Sequence, residues 1–105
     1  MKKSNSKTLT LPRLNKLTPS LESTALKIME ESGELAQAIG KLRGLNGERP
    51  EIEETEAMKL VAQELMDVAQ TAVTMMFVLE DHYGIDLEHI LQSHLTKLRN
   101  KGYCD

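Results

Sequence analysis

Apolar side chains in this chain return every three or four residues, and no stretch alternates apolar and polar residues as a half-buried strand would. That spacing makes helices with one buried stripe, so the fold class is all-α. The first stripe runs Leu21, Ala25, Ile28, Leu35, Ile39, Leu42. Thr18-Pro19 stands before it as a start signal, since threonine caps and proline suits the first helical position. Gly44 is its expected stop, and Arg43 to Pro50, with two glycines and a proline, reads as a loop. Pro50 opens a second helical stretch whose early glutamates (Glu51, Glu53, Glu54, Glu56) suit the positive end of the helix dipole. Its stripe is Ala57, Leu60, Val61, Leu65, Val68, Ala72, Met75, Met76 and Leu79, and Tyr83-Gly84 closes it. Asp86 can cap a third helix striped by Leu87, Ile90, Leu91, Leu95 and Leu98, with Gly102 at its end. Residues 1–17 read as a flexible, polar and basic arm whose scattered leucines could clip onto a neighbouring surface, and residues 18–105 read as one domain.

The second helix, over about residues 55–82, would be roughly 40 Å long. A compact domain of this size has a radius of gyration near ~13 Å. Such a helix overhangs a monomer core, and its later half is apolar on most faces. Both facts point to a second copy packed along it, as a homodimer or a dimer of dimers.

Composition removes several function classes. Sixteen acidic against thirteen basic residues leave a net charge of −3, which argues against a nucleic-acid polymer as partner. The aromatics are Phe77, Tyr83 and Tyr103 alone, too few for a base-stacking platform. The single cysteine, Cys104, makes no internal disulfide and there is no Cys/His cluster for zinc. The most apolar run, Ala72 to Leu79, is far short of the ~20 residues that cross a bilayer. No apolar segment follows the early lysines, so a secretory signal is not expected and the expected location is cytoplasmic.

The chemistry concentrates in acidic residues on two helices. Glu30-Glu31-Ser32-Gly33-Glu34 lies on the first and Glu64-Leu65-Met66-Asp67 on the second. Glu31 and Glu34 are three apart, as are Glu64 and Asp67, so each pair shares one helix face. Glu64 projects among Leu60, Val61 and Val68 on the apolar side, with Asp67 at its edge. Glu31 flanks the stripe of Ile28, Leu35 and Ile39, with Glu34 one step further round. Carboxylates on a core side are costly unless paired or metal-bound. Two helices meeting through these stripes would gather four of them, and protons or hard cations must relieve the repulsion. Oxygen ligands without His or Cys suit Mg²⁺ or Mn²⁺. A structural salt bridge at Glu64 is the other reading of the same residue.

The run Glu30-Glu31-Ser32-Gly33-Glu34-Leu35-Ala36, followed by Glu64-Leu65-Met66-Asp67-Val68, resembles the Glu-Glu-x-x-Glu and Glu-x-x-Asp metal-binding pattern of the MazG-like, all-α nucleoside triphosphate pyrophosphatases. The resemblance covers about residues 20–101. It implies a helical hairpin plus a third helix, assembling into a four-helix-bundle-like dimer or tetramer. Lys97 matches a lysine of the family's next helix, Lys101 stands where arginine is common, and Asn100 lies beside them. The chain departs from the family in the length of the segment between its two acidic motifs, Leu35 to Gln63.

The resemblance implies a Mg²⁺-dependent hydrolase, with Mn²⁺ as a substitute. It would split a nucleoside triphosphate into the monophosphate and pyrophosphate, as house-cleaning of the nucleotide pool. Glu31, Glu34, Glu64 and Asp67 would hold the metal, and Glu30 could orient or deprotonate the attacking water. Lys97, Asn100 and Lys101 would steady the phosphates. Two other classes fit the same residues: a non-catalytic module that binds nucleotide or metal, and a purely structural helical oligomer. His82 and Tyr83 read as surface or interface groups, His94 as a core-edge histidine, and Met75-Met76 as core or interface filling.

Overall fold

A computed structural model describes residues 5–44, 47 and 53–105. The chain forms α1 (Leu21–Arg43), α2 (Glu54–Tyr83) and α3 (Leu87–Asn100), with no strand among the described residues. Pro50 and most of the expected loop lie outside the described residues.

Helix α1 begins two residues later than Thr18-Pro19 suggests. Ser20 is the cap because its hydroxyl accepts from the Ser23 backbone N–H at 3.0 Å, while the Ser23 hydroxyl accepts from the Ser20 N–H at 2.8 Å. Two otherwise unpaired donors are satisfied at once. The helix stops as expected at Gly44, whose φ of 67° is a left-handed conformation that glycine adopts without strain. Helix α2 ends the same way at Gly84, φ 62°. Asp86 caps α3 by accepting from the His89 N–H at 3.1 Å. At its far end Lys101 is the C-cap in right-handed helical backbone, and Gly102 turns the chain at φ 74°.

Helices α1 and α2 form an antiparallel hairpin, and their contact is the main tertiary contact of the chain. Residues that are buried or half-buried on α1 include Leu21, Thr24, Ile28, Glu31, Leu35, Ala38 and Leu42. On α2 they include Ala57, Val61, Glu64, Val68, Thr71, Met75 and Val78. Both sets alternate three- and four-residue steps, the pattern of a coiled-coil seam. This corrects the stripes read from the sequence. Ala25 and Ile39 are exposed on α1, and Leu60 and Leu65 on α2 are 48% and 55% exposed. The seam is lined by smaller residues, Ala57, Thr24, Thr71 and Thr74, which let the two backbones approach. The bulkier side chains on the flanks attracted the sequence reading.

The N-terminal arm is tied to α2 over part of its length. The Gln70 amide donates to the Pro12 carbonyl at 2.9 Å, and Arg13 forks onto the Asp81 carboxylate. The same guanidinium lies over Phe77, 4.2 Å from the ring centroid. A turn closes from the Leu17 N–H to the Leu14 carbonyl, and Leu11 and Leu14 are half-buried while Leu9 and Leu17 stay exposed. A looser arm was expected because these partners are far apart in sequence.

Helix α3 packs along neither α1 nor α2 and buries none of its residues. The radius of gyration is accordingly 17.1 Å, well above the ~13 Å of a compact chain of this length. No described helix is long and apolar enough to cross a membrane.

The Asp81 carboxyl sits below its ordinary range, chiefly because it accepts a hydrogen bond from Arg13. A depressed carboxylate stabilises the fold above its unfolded value and loses that effect as pH falls through its folded one. Amide-exchange protection over residues 5–17 should therefore drop in Asp81→Asn at neutral pH. In the wild type the same loss should come only below about pH 4. Equal protection in both proteins would show that the ion pair does not hold the arm.

Candidate metal and active site

Two glutamates occupy seam positions that a helical hairpin ordinarily fills with apolar side chains. Glu31 stands between Ile28 and Leu35 on α1, and Glu64 between Val61 and Val68 on α2. The sequence placed Glu31 beside the stripe; the structure puts it within, at 6% exposure. A buried carboxylate needs a donor. Glu31 has one, the Thr71 hydroxyl, which donates to its Oε1 across the seam. Thr71 is itself only 7% exposed.

Glu64 is placed differently. Its Oε2 is buried and has no hydrogen-bond partner. Its carboxyl is pushed above the usual range, first by burial, then by the negative charge of Glu34 and of Asp67. The nearby Glu34 carboxyl and the charge of Glu31 add to the same direction. The other three carboxylates of the two motifs thus all push Glu64 in the same direction. Glu34 and Asp67 are exposed, each three residues beyond a seam glutamate, so they form the solvent-facing rim of the cluster.

No lysine, arginine or histidine forms an ion pair with any of these four among the described residues. The salt-bridge reading of Glu64 therefore finds no cation among the described residues. Nor are three or more His, Cys, Asp or Glu side chains among the described residues drawn together as a metal cage. The donor set nonetheless suits a hard divalent cation: oxygen-only, net negative, one buried oxygen without a partner, and two ligands open to solvent.

The remaining candidates lie elsewhere. Glu30 faces solvent and pairs with Lys27 at 3.8 Å, on the outer side of α1. Lys97, Asn100 and Lys101 are exposed on or just past α3, which does not pack on the hairpin, so one chain does not bring them to the carboxylates. The Lys101 ammonium lies 5.9 Å from the Tyr103 ring centroid. His82, His89 and His94 are exposed. For His94 this corrects the core-edge reading, because α3 has no core to border. Cys104 is an exposed free thiol. Thr71 is the residue that the sequence reading missed. It lies seven residues after Glu64, two helical turns along the same face, and that spacing was the available signal.

The family model described as the MazG nucleotide pyrophosphohydrolase domain matches residues 19–102. The chain belongs to the MazG family. The family is one of nucleotide pyrophosphohydrolases, whose hydrolases generally depend on a divalent metal. The match covers the whole hairpin, α3 and every carboxylate of the cluster. The chain is also similar to a Bacillus subtilis (strain 168) protein described as uncharacterized protein YvdC. The two are 31% identical over 74 residues, 70% of this chain and 68% of that protein. No solved structure matches the chain.

The strain at Glu64 has a measurable sign. A carboxyl whose folded value is raised costs nothing below its unfolded value and destabilises the fold as pH rises through the folded one. Glu64→Gln should raise the melting temperature of the metal-free MazG domain near pH 7.5, and the gain should fade toward pH 4. A lower melting temperature at pH 7.5 would show that the charged form is held by a favourable partner.

Proposed function

We propose that this MazG domain is a Mg²⁺-dependent nucleoside triphosphate pyrophosphohydrolase, with Mn²⁺ as a substitute. It would convert a ribo- or deoxyribonucleoside triphosphate and water to the monophosphate and pyrophosphate, clearing unwanted nucleotides from a cytoplasmic pool. The observation that carries this is the buried, unpartnered Oε2 of Glu64, whose carboxyl feels the negative charge of Glu34, Asp67 and Glu31 and pairs with no cation among the described residues. A site that repels itself in this way gains most from binding a divalent cation.

Glu31 and Glu64 would hold the cation from within the seam, and Glu34 and Asp67 from the rim. A bound divalent cation supplies charge neutralisation on phosphate oxygens and acidification of water. The chain's own part is placement. The seam fixes Glu31 and Glu64 on two packed helices, so the ligands are held before substrate arrives. The rim leaves one side open for a triphosphate. Glu30, exposed beside Lys27, is the weakest candidate for orienting water.

The same reading includes a homodimer or a dimer of dimers. Helix α2 carries a second apolar seam, Met58, Ala62, Leu65, Ala69, Ala72, Met76 and Leu79, again in three- and four-residue steps. Met58, Leu65 and Met76 are 41–55% exposed on one chain. At 100° per residue this seam lies on the other edge of α2 from Asp67. A helix with two seams suits a four-helix bundle, in which each helix touches two neighbours. On α3, Ile90 and Leu91 are 53% and 46% exposed, and the helix packs along neither hairpin helix. In an assembly, α3 of a second copy is the route by which Lys97, Asn100 and Lys101 reach phosphates at the carboxylates.

Incubating the purified protein with a panel of triphosphates tests the reaction. Monophosphate and pyrophosphate should appear with Mg²⁺ and not with EDTA, and Glu64→Gln should lower turnover about 100-fold or more. Diphosphate and orthophosphate, or full turnover by Glu64→Gln, would overturn the assignment. Binding without turnover would make the protein a nucleotide-binding module. Light scattering should give a multiple of 11.8 kDa for the wild type and a smaller species for Leu65→Glu. A monomeric wild type at micromolar concentration would overturn the assembly.

A further inference from the structure

We propose that Thr71 is a positioning residue for the metal site, acting through Glu31. This rests on the metal-binding reading above. The geometry is specific. Thr71 and Glu31 come from opposite helices, 40 residues apart, and both are nearly sealed from water. The hydroxyl donates to Oε1 of Glu31, so one carboxylate oxygen is fixed by α2 while the side chain belongs to α1. Threonine's branched side chain holds few rotamers on a helix, which makes it a stiff donor. Thr71 lies outside both acidic motifs. Its hydroxyl gives the one hydrogen bond found on the Glu31 carboxylate among the described residues.

Two consequences separate this role from packing. A buried carboxylate without a donor swings to find one, and that change removes it as a cation ligand. Groups that orient a metal ligand typically contribute 10- to 100-fold in metal affinity. The hydroxyl carries that effect, while the methyl group carries the packing. Three substitutions divide the two. Thr71→Ser keeps the hydroxyl and loses the methyl group, Thr71→Val keeps the shape and loses the hydroxyl, and Thr71→Ala loses both.

The experiment is calorimetric titration of Mn²⁺ into each full-length protein without nucleotide, with a thermal melt of each as a fold check. The expected result is Mn²⁺ affinity near wild type in Thr71→Ser and roughly 10- to 100-fold weaker in Thr71→Val and Thr71→Ala. In turnover assays the loss in Thr71→Val should be recovered by raising the metal concentration. Affinity that follows the methyl group instead, with Thr71→Val near wild type and Thr71→Ser weak, would overturn the inference and leave the metal reading intact. If Thr71→Val does not fold, wild-type affinity in Thr71→Ala also overturns it. A wild-type protein that binds no Mn²⁺ would overturn the metal reading and this inference together.

Discussion

The seam between α1 and α2 is the contact on which the rest of the molecule depends. It runs in three- and four-residue steps on both helices and is built from small and medium side chains. Two glutamates sit inside it, where each costs stability unless something answers its charge. For Glu31 the answer is the Thr71 hydroxyl. For Glu64 nothing among the described residues answers, and the charges of Glu34, Asp67 and Glu31 make its position worse. A fold held largely by one helix pair tolerates such a defect when a ligand removes it, and the site is then a property of the fold's own seam.

The same economy explains the open shape. One hairpin buries one face of each helix and leaves the others. On α2 Met58, Leu65 and Met76 of the second seam are exposed, on α1 Leu26 and Met29 are 69% and 71% exposed, and no residue of α3 is fully buried. Helices in water gain most of their stability from tertiary packing rather than from propensity. These faces, and the reach of the α3 lysines, therefore belong to a single question of assembly. The arm adds a local clamp on α2 through Gln70, Phe77 and Asp81, on the side away from the Met58–Met76 seam.

Helix existence and ends were largely legible, because glycines and caps act locally. Gly44, Gly84 and Asp86 stop or start helices where expected, and the Ser20–Ser23 pairing displaced the start read at Thr18-Pro19. Face assignment was less legible. Leu60 and Leu65 drew the stripe toward the wrong flank of α2, and Ile39 did the same on α1, because side-chain size is a poor guide when a close seam prefers Ala and Thr. The two motif carboxylate pairs were legible as pairs on one face of each helix, because a three-residue spacing fixes that locally. That Glu31 is buried with Thr71 was not legible, since it depends on a register between residues 40 apart.

The most direct test of the central claim is the melting temperature of the wild-type protein as a function of divalent cation, without nucleotide, near pH 7.5. A ligand that binds only the folded state stabilises it by about 2.7 kcal/mol at a hundred times its dissociation constant. The account predicts a melting temperature that climbs with the logarithm of Mn²⁺ or Mg²⁺ concentration, and a Glu64→Gln variant that starts higher and climbs less. A wild-type melting temperature indifferent to either cation would contradict it, because the repulsion at Glu64 would then have no relief of the kind proposed.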